Sequence, residues 1–308
     1  MNRKYVFGPV RSRRLGISLG VDLVTPKTCP LDCIYCEARA TTNLTLERRE
    51  YVPVDQVISE LDETLKTIPA PDFITFSGAG EPTLNSGIGK VVGFLKTHYP
   101  KYQICLLTNG LLLGDPELCS EIADVDLLVP SLDASNEFEY RKINRPVAGS
   151  TLAKLAADIA AFSKNFRHCL KVEIFIIPGI NDSDASISAF ARLLRAIRPA
   201  AVQLNTLDRP GVIPDIRVAP SETLQRFETA FTPICPVETL KPLPQTQQHV
   251  ISTSLEEQLL NIISHRRLNI SSLSQVANIP EPELRPLLDR LLKRKWIRFS
   301  PNGDITLV

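Results

Sequence analysis

Residues 29 to 36 read CPLDCIYC, which places Cys29, Cys33 and Cys36 in one short segment at spacings of three and two. Linkers this short let three sulfurs converge on a single metal centre. Thiolates favour zinc or an iron-sulfur cluster. Structural zinc wants four protein ligands, commonly two CxxC pairs, and this chain has no second pair. Three thiolates leave a coordination position open; on a 4Fe-4S cluster they take three irons and leave the fourth for a substrate. The other four cysteines, Cys105, Cys119, Cys169 and Cys235, are scattered singly. That is no disulfide framework and suits a reducing compartment. Cys105 and Cys169 lie in or beside apolar runs and read as small core residues.

Three polar segments follow apolar runs further along: SGAGEPT at 77–83, TNG at 108–110 and SLD at 131–133. Taken with Cys29-x3-Cys33-x2-Cys36, and with Tyr35 just before the last cysteine, they give a pattern that resembles the radical S-adenosylmethionine (SAM) superfamily. Gly80, Glu81 and Pro82 are similar to its GGEP segment, with Ala79 where a first glycine is more usual. The resemblance covers roughly residues 5 to 232. It implies a partial six-unit βα barrel and a 4Fe-4S cluster on Cys29, Cys33 and Cys36, whose open iron chelates the amine and carboxylate of SAM. It also implies reductive cleavage of the sulfonium to methionine and a 5′-deoxyadenosyl radical, which removes a hydrogen from the substrate. A flavodoxin- or ferredoxin-type reductant is expected, and no residue beyond the cluster ligands is assigned a catalytic role. By the same analogy Gly78, Gly80 and Glu81 meet the SAM ammonium, small residues permitting the close approach. Asn109, Ser131 and Asp133 are the candidates for ribose or carboxylate contacts, Glu173 is another polar candidate, and Tyr35 with residues 176–178 flanks the adenine.

The N-terminal stretch YVFGPVRSRRLGISLG carries Arg11, Arg13 and Arg14 just ahead of the cysteines. The expectation is a basic loop at the barrel mouth that holds a phosphate or carboxylate of the substrate bidentately. Asn205, at the end of the last strand candidate, is a further candidate substrate contact. GPVRSRRLG, SLGVD and the cysteine segment together resemble a subgroup of the superfamily related to the wyosine-base tRNA synthetases. No cysteine precedes Cys29, so the ligands of the additional cluster of the tricyclic wyosine enzymes have no counterpart here.

These residues need elements to hold them. From about 16 to 232 the chain alternates apolar or β-branched runs with segments of helical period, the signature of repeated βα units on a parallel sheet. The strand candidates are 18–24, 73–77, 103–108, 125–131, 172–177 and 201–205; none alternates cleanly, as expected for strands covered on both faces. Val54, Val57, Ile58, Leu61 and Leu65 recur at helical spacing, as do Ile187, Phe190, Leu193, Leu194 and Ile197. Six such units make an α/β fold, a partial (β/α)6 TIM-like barrel, and the chemistry-bearing segments all fall at C-terminal strand ends.

Residues 233–253 carry four prolines and no clear period, and predict an extended linker. From 254 to 308 the pattern is three helices and two short strands about Pro301-Asn302-Gly303, which is that of a small C-terminal winged helix-turn-helix domain. Its third helix and tail hold Arg285, Arg290, Lys293, Arg294, Lys295 and Arg298, offset by Glu281, Glu283, Asp289 and Asp304. With 35 Lys and Arg against 34 Asp and Glu, the whole chain has no global pull toward nucleic acid or membrane. No apolar run approaches the roughly 20 residues that span a bilayer, so the expected place is the cytoplasm. The expected partner is a macromolecular substrate, RNA or protein, engaged by the winged helix. A small metabolite is the alternative substrate, and an iron-sulfur sensor that binds DNA is the alternative function.

Overall fold

The apolar stripe on residues 54–65 is what the first long helix lays on the sheet: α1 (Val54–Thr67) buries Val54, Val57, Leu61 and Leu65. The computed structural model describes residues 4–38, 40–207, 212–213, 215–240, 256, 259–260, 262–263, 268–277, 279–300 and 303–307. The strands of the main unit are β1 (Val6–Ser12), β2 (Gly16–Val21), β3 (Thr28–Cys29), β4 (Asn43–Leu44), β5 (Phe73–Phe76), β6 (Gln103–Thr108), β7 (Leu127–Pro130), β8 (Cys169–Phe175), β9 (Ala201–Asn205) and β10 (Val237–Thr239). Eight of them form one sheet in the order β1-β2-β5-β6-β7-β8-β9-β10, and all neighbours are parallel except the β1–β2 hairpin. This is the partial TIM-like barrel.

Around it run α2 (Ile88–His98), α3 (Pro116–Glu121), α4 (Glu137–Ile143), α5 (Leu152–Asn165), α6 (Asp184–Ile197) and α7 (Ser221–Phe231). Their starts follow from capping chemistry: the side chains of Asp115, Asn136, Thr151 and Ser183 accept backbone N–H bonds at the N-termini of α3, α4, α5 and α6. Along the strands, Leu19, Ile74, Ile104, Leu128, Val172 and Val202 join the helix-covered core. Phe73, Cys105, Leu127, Val129 and Cys169 gather on the opposite, inner face with Leu15. The two-residue period of a strand therefore sorts the helix-facing residues from those that line the barrel.

Two expectations are corrected here. The N-terminal arginine-rich stretch is not a loop but a hairpin: Arg11 lies in β1, paired with β2 from Val6↔Val21 to Ser12↔Gly16 with an irregularity between Phe7 and Val10, and Arg13 and Arg14 lie in the turn. The linker expected at 233–253 is not extended throughout, because Val237–Thr239 adds to the sheet beside β9 as β10; residues 241–253 lie outside the described residues. The helical stretch expected from residue 254 is described only at 256, 259–260 and 262–263. Beyond it come α8 (Ile270–Ala277), α9 (Glu281–Lys293) and the antiparallel pair β11 (Ile297–Phe299) and β12 (Ile305–Leu307). Leu259, Leu273, Leu284, Leu288, Leu291, Ile297 and Ile305 build a separate core for this C-terminal unit. No helix among the described residues is long and apolar enough to cross a membrane.

Candidate active site

The cysteine segment leaves the C-terminal end of β2 and is docked by backbone bonds. Helix α4 ends with carbonyls that have no intrahelical partner, and the segment supplies donors: Ile34 N–H donates to Ile143 O (2.9 Å) and Asp32 N–H to Asn144 O (2.9 Å). Its other edge is zipped to the loop after β5, where Lys27 N–H donates to Ala79 O (2.6 Å) and Glu81 N–H to Thr28 O (3.0 Å). That approach fixes the glycines. A Cβ on Gly80 would stand 2.3 Å from Thr28 O, and one on Gly78, whose φ is +127°, would collide with the Asp22 carboxylate that accepts from Ala79 N–H.

Each of the three sulfurs has an N–H donor. Asn109 Nδ2 lies 3.7 Å from Cys29 Sγ, Asn144 Nδ2 3.4 Å from Cys33 Sγ, and Lys27 Nζ 3.3 Å from Cys36 Sγ. Burial, with the Glu81 charge nearby, pushes the Cys29 thiol up to about 12; burial and the Asp133 charge push that of Cys33 well up. Without metal both are protonated near neutral pH, so metal binding must expel protons. Asn109 is the member of this set that sequence reasoning singled out. Lys27 and Asn144 were missed, and only Lys27, two residues before Cys29, stood close enough in sequence to be noticed.

Glu81 is buried, and four donors converge on its carboxylate: Thr83 N–H (3.2 Å), Thr83 Oγ1 (2.6 Å), Thr108 Oγ1 (2.7 Å) and Asn109 N–H (2.8 Å). Three of these donors meet Oε1 and only Asn109 N–H meets Oε2, so the carboxylate is anchored on one oxygen while Oε2 keeps an acceptor position. Burial raises its pKa while the same bonds oppose the rise. It thus caps the turn at Pro82–Leu84 and ties the loop after β5 to the end of β6.

Asp133 is the second hub. Buried after β7, its carboxylate accepts from the Tyr35 hydroxyl (2.5 Å), Asn144 Nδ2 (2.9 Å) and Phe175 N–H (3.0 Å), and desolvation lifts its pKa to about 6. The Tyr35 ring stacks on Phe175 with centroids 3.9 Å apart and planes 10° apart. Phe175 and Ile177 form an apolar cluster with Ile34 and Ile143 beside it. Ile176, expected next to the adenine, instead joins the helix-covered core, because it sits one residue out of phase with Phe175 and Ile177.

The arginines are placed differently from the expectation. Arg11, Arg13 and Arg14 lie around the β1–β2 turn, at the N-terminal end of β2, whereas the cysteine segment follows its C-terminal end. Arg14 reaches into the barrel and pairs with Glu173. Glu173, on the inner face of β8, is thereby held in an ion pair inside the barrel. Ser131, half-buried just after β7, bridges to Glu173 through backbone. Asn205 is buried at the end of β9, and its side-chain oxygen accepts from Thr206 N–H (2.9 Å).

A cluster fits this donor set. Among the described residues no group of three His, Cys, Asp or Glu side chains is arranged to hold a single ion. Cys29, Cys33 and Cys36 nevertheless lie in one short segment, and each sulfur has its own N–H donor. Neighbouring thiols outside a single-ion shell suit a cubane, where each binds a different iron, better than tetrahedral zinc.

A parallel partial barrel with a three-thiol loop at its C-terminal end is the frame of an iron-sulfur enzyme. The sequence model of the Radical SAM superfamily matches residues 23–191, more than half of the chain, and the chain belongs to that superfamily. It is an enzyme of that class, and the class uses a 4Fe-4S cluster, SAM and an external reductant. The chain is 30% identical to a UPF0026 protein of Methanocaldococcus jannaschii over 97% of its own length and 94% of that protein's. It is 31% identical to a Brachyspira hyodysenteriae protein called GTPase Obg over 97% of its own length, and spans 44% of that longer chain. A radical SAM methyltransferase from Sphaerobacter thermophilus shares the fold, with a TM-score of 0.58 and 20% identity over 72% of this chain and 65% of that one.

Proposed function

We propose that this chain binds SAM across the loops at the C-terminal ends of its barrel strands and removes a hydrogen atom from an RNA substrate. The observation that supports the SAM site is the loop carrying Cys29, Cys33 and Cys36, held against Gly78–Glu81 by backbone bonds. When bound, the 4Fe-4S cluster would supply the single electron needed for reductive cleavage of SAM to methionine and a 5′-deoxyadenosyl radical. Cys29, Cys33 and Cys36 would hold that cluster. The backbone of residues 78–81 meets the SAM ammonium, with Glu81 Oε2, which among the described residues accepts only from Asn109 N–H, as a further acceptor. Tyr35, Phe175 and Ile177 give the adenine its apolar slot. Asp133 and Asn144 hold Tyr35 and Cys33 in place rather than touching ribose, which leaves the ribose to Ser131. A flavodoxin- or ferredoxin-type protein delivers the electron.

The RNA reading is supported by the run from Lys293 to Arg298 in the C-terminal unit, which we read as a winged helix. Lys293, Arg294, Lys295 and Arg298 flank Trp296 in sequence and are exposed, and the Arg294 guanidinium lies 5.1 Å from the indole centroid. Trp296 is 46% exposed and Phe299 40%. Exposed cations interleaved with exposed aromatic faces suit a single-stranded nucleic acid, whose phosphates and unstacked bases need those two groups. Glu256 pairs with Arg290 and Arg294 and moderates the charge.

Trp296 is the only tryptophan of the chain, so its fluorescence reports the event directly. Single-stranded RNA is expected to quench it, with an affinity that falls as salt rises. Trp296→Ala should weaken the binding of labelled RNA by about 1–3 kcal/mol, the value of one base stacked on an aromatic ring. The same variant should leave substrate-free cleavage of SAM unchanged. Unquenched fluorescence at saturating RNA, or binding indifferent to salt, would count against RNA and favour a peptide or metabolite. A pure DNA-binding sensor would fail to cleave SAM at all.

A further inference from the structure

The three donors to the cysteine sulfurs come from three separate places: Lys27 from the loop after β2, Asn109 from the end of β6 and Asn144 from the end of α4. Their orientations are fixed by the rest of the fold. The side-chain oxygen of Asn109 accepts from Leu111 N–H (3.0 Å), which leaves its amide nitrogen toward Cys29. The amide nitrogen of Asn144 donates at once to Asp133 and to Cys33, so turning the amide over would set oxygen against carboxylate. Lys27 is buried and held by its backbone, donating to Ala79 O and accepting from Thr42 and Asn43 N–H (both 3.1 Å). Its φ of +63° is an unusual conformation for a side chain of this size, and the backbone is kept there by those bonds.

We propose that Lys27 is a positioning residue that sets the potential of the cluster, with Asn109 and Asn144 as its neutral counterparts on the other two sulfurs. This rests on the reading that Cys29, Cys33 and Cys36 carry a 4Fe-4S cluster. Reduction adds one electron and one negative charge to a buried centre without making or breaking a bond. N–H donors to the thiolates stabilise the more negative state, and hydrogen bonds to the sulfurs are among the terms that set iron-sulfur potentials. A charged donor is stronger than a neutral one. The Lys27 ammonium beside Cys36 would therefore raise the midpoint and bring the cluster within reach of a one-electron protein donor.

The test is a redox titration of the anaerobic, cluster-loaded protein with dithionite and mediators, in the absence of SAM, followed by electron paramagnetic resonance. Iron and sulfide content are measured first: a wild-type chain that holds no cluster would defeat the functional reading, whereas the present proposal is judged on loaded variants. Lys27→Met is expected to lower the ratio of reduced to oxidised cluster about tenfold at a fixed applied potential, equivalent to a midpoint about 59 mV more negative for one electron. Lys27→Gln, which keeps an N–H but loses the charge, should fall between, and Lys27→Arg should return to the wild-type value. All three replacements keep a side chain at the same positive φ, so backbone strain is common to them. If Lys27→Met does not load, Lys27→Gln decides by the same criterion. A loaded Lys27→Met, or failing it Lys27→Gln, with the wild-type midpoint would overturn the proposal. With SAM absent, a shift cannot come from an altered contact to its carboxylate.

Discussion

Cys33→Ala should yield a folded chain that makes no detectable 5′-deoxyadenosine from SAM and dithionite, a loss of more than about a hundredfold. Changing even groups that only orient a metal's ligands typically costs 10–100-fold, and this substitution removes a ligand itself. The fold should survive, because the segment is held by backbone bonds from Asp32 and Ile34 to the end of α4, and these do not involve the sulfur. The residue is only half-buried although its thiol lies inside, so replacing it leaves a small void rather than a lost core side chain. Iron content, the thermal melting curve and product by mass spectrometry check this together. A Cys33→Ala protein that retains both a full cluster and product formation would show that the three thiols are not the ligands.

The second large effect is expected at a residue that is not a ligand. Glu81→Ala deprives Thr83, Thr108 and Asn109 of the acceptor they share in a buried site. Each buried donor left unpaired costs on the order of 1–3 kcal/mol, so a total loss of about 3 kcal/mol or more is expected. For a chain of this size that is a melting point lower by roughly 5 °C or more. Affinity for SAM should fall with it, since the loop at Gly78–Glu81 and the Asn109 turn lose their common anchor. Glu81→Gln should lie between, because one amide face presents N–H groups where a donor already stands. A Glu81→Ala chain that melts within about one degree of wild type would mean that these bonds contribute little.

Local chemistry made much of the site legible. The cysteine segment, Gly80-Glu81-Pro82, Thr108-Asn109-Gly110 and Ser131-Leu132-Asp133 all follow strands, and the strand boundaries at Gln103–Thr108 and Ala201–Asn205 agree with the apolar runs that marked them. β1 was hidden because Gly8, Pro9 and three arginines read as a loop; the stretch becomes a strand through pairing with β2 at the sheet edge, which local pattern does not record. β10 was hidden in the same way by the prolines around it. Asn144 meets Cys33 from 111 residues away, and Arg14 meets Glu173 from 159. Neither partner carries a local motif, so only the folded barrel brings them together. The same kind of long-range contact gives Glu81 and Asp133, which sequence analogy offered to SAM, partners inside the fold that no local motif records.

The central claim is that this chain cleaves SAM reductively at a cluster on Cys29, Cys33 and Cys36. The direct measurement is anaerobic incubation of the wild-type, iron- and sulfide-loaded protein with dithionite and SAM, with quantification of 5′-deoxyadenosine and methionine. The two products are expected in equal amounts, and to be absent when dithionite is left out. A protein with a full cluster that binds SAM yet forms neither product would contradict the account.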